Sequence, residues 1–325
     1  MMHNTFFRPG EVWLDTEGNS IQAHGGGVIV VDGVYYWFGE NKNAPNSKNL
    51  KLHDGSTMDR VDVIGVSCYS SRDLLNWKHE GIVLPAVPGD PSHDLHPSKV
   101  AERPKVIYNA KTKKYVMWLH VDTPDYVLAA CGIAVSDTVT GPYHYVGHVR
   151  PNGKDSRDFT VYVDDDAHAY LVHSSDWNSV TMIADLTDDY LGLTGHYTRH
   201  FDAGATNNGR ESAAVFKQDG RYYIITSGTT GWNPNPAEYA VADNMHGPWE
   251  VKGNPCVGKD AETTFHSQDT FVLPVPGRPG KYIFMGDRWF PQNLQNSRYV
   301  WLPLEVNGDQ LTVKWLPEWD LSAFD

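Results

Sequence analysis

The chain has 325 residues, 40% of them hydrophobic, and a formal net charge of −13, which supplies a large core and a surface unsuited to nucleic acid or an anionic membrane. No Lys/Arg run occurs, and no stretch approaches the roughly 20 apolar residues of a membrane span. Cys68, Cys131 and Cys256 are odd in number and lack C-x-x-C spacing, which argues for reduced thiols rather than a disulfide framework or a metal knuckle.

Along the chain, the opening MMHNTFFRPGEVW has no apolar core followed by a small-residue cleavage site, so no signal peptide and a cytoplasmic location are expected. Sustained i, i+3, i+4, i+7 apolar patterns are scarce, whereas short aromatic and β-branched runs between Gly, Asp and Asn recur. HGGG at 24–27 leads into the first aromatic strand, DGVYYWFGE at 32–40, and a polar, Asn- and Lys-rich stretch at 41–60 reads as an insertion near the mouth of a site. A strand of smaller residues follows in IGVSCYSSRDLLNW at 64–77. The same pair of strands returns as KTKKYVMWLH at 111–120 with CGIAVSDTVTGPY at 131–143, and as DDAHAYLVHSS at 165–175 with VTMIADLTDDY at 180–190. It returns again as DGRYYIITSG at 219–228 with EYAVADNMHGPW at 238–249, and as GKYIFMGDRW at 280–289 with RYVWLPLEV at 298–306. Five such units, roughly 50 to 80 residues apart, predict an all-β, five-bladed β-propeller forming one domain over 1–325. A β-sandwich would not require the same two-strand sentence to recur in order. The small-residue strands and the loops before them are expected around the axis.

Three acids stand beside apolar strand starts in three different units: Glu102 in ERPKVIYN, Asp158 in SRDFTVYVDDD and Glu211 in GRESAAVFK. On inner strands they would point at one axial pocket. Each, taken alone, could instead cap a turn or pair with its neighbouring Arg. Burial and like-charge repulsion in such a pocket keep at least one carboxyl protonated near neutral pH, and a protonated Glu can donate to a departing glycosidic oxygen. The sequence has no G-x-S-x-G elbow, no G-x-x-x-x-G-K-[ST] loop and no H-E-x-x-H pair. The glycines of HGGG read as close backbone approach at the axis, with His24 on the pocket floor. The histidines show no convincing ligand spacing; carboxyl chemistry of this kind requires no metal or organic cofactor, although related propellers sometimes hold a structural ion near the axis.

Together with IQAHGGGVIVVDGVYYWFGENK, TFHSQDTFVLP, GDRW and SRYVWLPLE, these motifs resemble glycoside hydrolase family 43 over nearly the whole chain. Within it they resemble the branch containing exo-β-1,3-galactanases. The resemblance implies a five-bladed propeller that inverts the anomeric centre with a general acid, a general base and a third acid that tunes the first. Glu211 matches the general acid, Glu102 the acid that positions and tunes it, and Glu40, Tyr126 and Asp158 residues lining the sugar subsite. Most of the wider family carries an Asp base in the first blade; here the segment is AHGGG, and Gln268 in the last unit matches the Gln found in the galactanase branch. An amide is a poor base, so Asp269, Asp287 and Glu262 are further candidates to activate water, although strand alternation turns Asp269 to the other face. Ala213 stands where relatives commonly have Pro.

Trp232 and Trp289, at blade tips, are candidates to stack on sugar; Asn178, Thr229, Arg288 and Asn293, with Asp287, are candidates to bind hydroxyls. The implied activity is release of terminal β-1,3-linked galactose from an oligosaccharide or polysaccharide, with neither nucleic acid nor membrane as partner. A sister activity on arabinofuranosides or galactofuranosides would keep Glu211 and reshape the subsite around Glu40 and Tyr126. A lectin-like propeller would bind galactose and cleave nothing.

Overall fold

Turn residues followed by an alternating aromatic strand can satisfy their backbone only by pairing with neighbours, and each repeat does so as an antiparallel four-stranded sheet. The computed structural model describes residues 3–204 and 209–325. Its first blade holds β1 (His24–Val31), β2 (Val34–Glu40), β5 (Gly65–Ser71) and β6 (Lys78–Pro85). The second runs β7 (Val100–Asn109), β8 (Lys114–Asp122), β9 (Ala130–Ser136) and β10 (His144–Val149), and the third β11 (Phe159–Val163), β12 (Ala169–Ser175), β13 (Val180–Leu186) and β14 (Leu193–His200). The fourth consists of β15 (Arg210–Gln218), β16 (Arg221–Gly228), β17 (Glu238–Ala242) and β18 (Glu250–Gly253). The fifth is β20 (Gln268–Pro274), β21 (Tyr282–Arg288), β22 (Arg298–Asn307) and β23 (Gln310–Lys314), with β19 (Cys256–Val257) added in parallel to β23. The five blades form a β-propeller. Neighbouring first strands touch all the way round, β1 to β7, β7 to β11, β11 to β15, β15 to β20 and β20 back to β1.

This order corrects one expectation. The recurring two-strand sentence is the second and third strand of each blade, and the axis is lined instead by the strand before it. The third strands lie between two partners in the sheet, where buried small residues such as Ser67, Ala134, Ala184 and Ala240 let adjacent blades approach.

Blades five and one meet at an aromatic seam. Trp37 and Trp301 lie 4.7 Å apart, and Phe7 stacks on Trp319 at 4.2 Å while pairing with it as a backbone bridge. Much of the Trp content is therefore core. Residues 41–60 form the expected insertion, a hairpin of β3 (Asn46–Lys51) and β4 (Thr57–Val61). The three cysteines are free and buried. Among the described residues no helix is long and apolar enough to cross a membrane.

Candidate active site

Four axial strands break register where they enter the same end of the ring: β1 between His24 and Gly27, β7 between Glu102 and Lys105, β15 between Glu211 and Ala214, and β20 between Asp269 and Phe271. A bulge re-aims side chains that strict alternation would send to opposite faces. In β7 it lets Glu102 and Arg103 both face the pocket, with Arg103 at φ +55°. In β1 the bulge needs glycine: Gly25 sits at φ +61°, and a Cβ there would come within 2.4 Å of Glu40 Oε1.

The pocket, of about 220 Å3, gathers Glu40, Glu102, Tyr126, Asp158, Asn178, Glu211, Thr229, Trp232, Gln268 and Trp289, ten of the residues singled out in the sequence. Arg103 is its buried hub. Its guanidinium donates to Gln268 Oε1 at 2.6 Å and Ser212 Oγ at 2.7 Å, and pairs with Asp158 at 2.8 Å. Burial opposes the Arg103 charge, but Asp158, Glu40, Asp287 and Glu211 outweigh it and raise its pKa.

Burial first, and then the Asp158 charge, push the Glu211 carboxyl well above the usual carboxylate range, with Arg103 opposing. Asn178 Nδ2 and Gln268 Nε2 each stand 3.2 Å from its oxygens. Glu102 behaves oppositely. Burial would raise it, but His120, Lys42 and the Tyr126 hydroxyl lower it to about 2. Tyr126 donates to Glu102 Oε1 at 2.9 Å, while His120 Nδ1 makes a poorly aligned ion contact with Oε2 at 3.3 Å. On its other side His120 Nε2 is 2.9 Å from Asp122. Burial opposes the imidazolium, yet Asp122 and Glu102 raise it to about 9. The charge that raises Glu211 is thus that of Asp158, whereas Glu102 is committed to His120 and Tyr126.

Gln268 is held at both ends of its amide. Its oxygen accepts from Arg103 and from Trp289 Nε1 at 2.9 Å; its nitrogen donates to Ser227 at 2.9 Å and to Glu211. It therefore touches Glu211 directly.

Four predicted subsite residues, His24, Asp287, Arg288 and Asn293, lie elsewhere. His24 is fully buried, 3.1 Å from Asp287 and stacked on Tyr299, and Asp287 also accepts from the Gly25 amide at 3.0 Å. The two satisfy each other beneath the pocket and hold the β1 bulge. Arg288 points away, donating to Phe265 O at 2.7 Å and lying over Trp315. Asn293 and the exposed Glu262 do not line the pocket, and Asp269, fully buried and pushed up to about 7 by burial, faces away from it.

The sequence reading missed Arg103, His120 and Arg157 in the lining, and the apolar rim of Leu52, His53 and Met58. The rim comes from the β3–β4 hairpin, which His53 ties to Trp177 of the third blade by a 3.9 Å stack, itself capped by Arg157 at 4.2 Å. Trp232 Nε1 of the fourth blade reaches Asp59 O at 3.3 Å, and Asn46 donates to Pro291 O at 2.8 Å. Lys105, on the same strand as Arg103 but outside the pocket lining, donates to Gly25 O at 2.8 Å. Among the described residues the one grouping of three metal-donor side chains is Asp185, His196 and His246, outside the pocket lining.

A buried carboxyl pushed well above its usual range, in a pocket edged by aromatic rings at the mouth of a five-bladed propeller, is the arrangement that glycoside hydrolysis requires. The sequence profile of glycosyl hydrolases family 43 matches residues 28–271. The chain belongs to that family. A family 43 β-1,3-galactosidase superposes with a TM-score of 0.89 and 39% identity, over 99% of this chain and 65% of its own length. Another, solved with galactodeoxynojirimycin, gives 0.86 and 39% over 97% of this chain and 100% of its own. The exo-β-1,3-galactanase of Phanerochaete chrysosporium, solved as a variant with β-1,3-galactotriose, gives 0.86 and 36% over 98% of this chain and 68% of its own. No curated protein sequence matches the chain.

Proposed function

We propose that the chain is an exo-acting β-1,3-galactosidase that releases terminal galactose with inversion. The observation that carries this reading is Glu211, a buried carboxyl pushed well above the usual carboxylate range by burial and by Asp158, in a pocket that the inserted hairpin helps to line. Glu211 donates its proton to the departing glycosidic oxygen as that bond breaks. Asp158 tunes Glu211 and, through Arg103, fixes Gln268. Gln268 holds the attacking water; because an amide is a poor acceptor and this oxygen already receives two donors, the proton that the water sheds as it bonds to the anomeric carbon passes to solvent, from which Glu211 is reprotonated. In inverting enzymes the two catalytic groups stand roughly 6.5 to 9.5 Å apart, so the sugar must part Gln268 from Glu211 on binding. Glu40, Tyr126, Asn178 and Thr229 supply hydroxyl contacts, and Trp232 with Trp289 the ring faces. The wall of Leu52, His53 and Met58 stops a polymer running through the site and favours chain ends. The substrate class is supported by the β-1,3-galactosidase and galactanase neighbours.

The test is incubation with β-1,3-galactobiose and, separately, with aryl arabinofuranoside and galactofuranoside, following the released anomer by NMR. Release of α-galactose from the disaccharide is expected. Cleavage of a furanoside alone would overturn the substrate, release of β-galactose would overturn inversion, and binding without cleavage would leave a lectin.

A further inference from the structure

At the strand ends remote from the pocket, the seam between blades three and four carries a cluster the hydrolysis does not use. Asp185, near the end of β13, stands with His196 of β14 and with His246 in the turn after β17. His196 Nδ1 is 2.8 Å from Asp185 Oδ2, and His246 Nε2 is 2.6 Å from Oδ1. His168, in the turn before β12, brings its Nε2 to 3.5 Å from the same Oδ1. The three donor atoms of Asp185, His196 and His246 lie within 4.8 Å of one another.

We propose that this cluster is a zinc site that ties the third blade to the fourth. One carboxylate and imidazole nitrogens are the donor set of a four-coordinate Zn2+, and imidazole favours zinc over magnesium or calcium. Bonds of roughly 2.0 to 2.2 Å place tetrahedral donors roughly 3.3 Å apart. His196 and His246 stand closer than that to Asp185 and reach it by small shifts; His168 lies outside this grouping of three, so water completes the four-coordinate shell. The anchoring half is fixed: the Asp185 and His246 side chains are 13% and 18% exposed. His196 is 59% exposed, which leaves a route for the ion.

A further contact points the same way. Thr198 Oγ1 lies 2.8 Å from His246 Nδ1 and 2.8 Å from His200 Nε2. By accepting the Nδ1 proton and donating to His200 it leaves the His246 Nε2 lone pair for a metal. An outer partner of this kind commonly accompanies a metal-bound imidazole. Zinc binding forms bonds from β13, β14 and the turn after β17 to one ion.

The full chain, stripped with chelator, is titrated with zinc sulfate by calorimetry, and retained metal is measured after dialysis. One zinc per chain and a rise in the thermal unfolding midpoint with added zinc are expected. His246→Gln should abolish stoichiometric binding, and His196→Ala, at an exposed position that leaves folding and hydrolysis intact, should weaken it at least about tenfold. Thr198→Val removes no ligand and should weaken it about tenfold. Retention well below one zinc per chain, or unchanged affinity in His196→Ala, overturns the proposal.

Discussion

His120 is the residue whose removal should separate charge from shape most clearly. Its imidazole is clamped between Asp122 and Glu102 and is 1% exposed, so its raised pKa of about 9, against an ordinary 6.5, reflects a well-shielded interaction. That difference is worth about 3 kcal/mol. The depression of Glu102 to about 2 is the same contact seen from its partner and is not added. Because the folded pKa of His120 lies above its unfolded value, this stability is complete below about pH 6.5 and is lost as pH rises through about 9. The Glu102 side sets the acid limit: its folded pKa lies below the ordinary 4.5, so the same pairing is lost as pH falls through about 2. In His120→Gln the two carboxylates keep Tyr126 and the Thr123 and Ala129 amides but lose their shared cation. Urea unfolding followed by Trp fluorescence should show the variant less stable by about 3 kcal/mol near pH 6, with the gap closing toward pH 10. Lys105, lowered to about 7 by burial and Arg103, titrates in the same interval in both proteins and drops out of the difference. A gap that stays constant from pH 6 to 10 would refute the charged His120.

Three further outcomes follow from the site and the seam. Asp158→Asn removes the principal charge raising Glu211, so the general acid ionises earlier and the alkaline limb of kcat/KM moves to lower pH; an unmoved limb means that Asp158 does not tune it. Trp289→Phe keeps a ring but loses the indole donor to Gln268, so kcat should fall about tenfold with KM little changed, whereas a rise in KM alone assigns Trp289 to stacking only. Trp301→Ala opens a cavity against Trp37 and Phe7 and should cost about 3–5 kcal/mol in urea unfolding; a loss below about 1 kcal/mol means the seam does not close the ring.

The repeats were legible because a turn and the aromatic strand after it are local. Which strand faces the axis is not local, since it depends on blades meeting across the ring, so the small-residue strands look axial in sequence whereas the first strands of the blades line the axis. The acids Glu102, Asp158 and Glu211 could be found because each interrupts an apolar strand start, and Arg103 and Arg157 were visible beside two of them without a stated role. His120 gave no such signal. It ends an ordinary aromatic strand, and only the register pairing it with Glu102 brings the two together. In sequence His24 reads as pocket floor and Asp287 as a hydroxyl binder or a group to activate water. They come from blades one and five, and only the folded ring shows that they satisfy each other below the pocket.

The proton donor is the centre of the proposed chemistry, and its leaving-group dependence tests it most directly. Glu211→Gln should lower turnover of β-1,3-galactobiose by about 10² to 10⁴-fold, since the departing sugar hydroxyl needs a proton. A dinitrophenyl galactoside, whose leaving group departs as a stable anion, should lose far less. Equal losses on both substrates would contradict the assignment of Glu211 as the general acid.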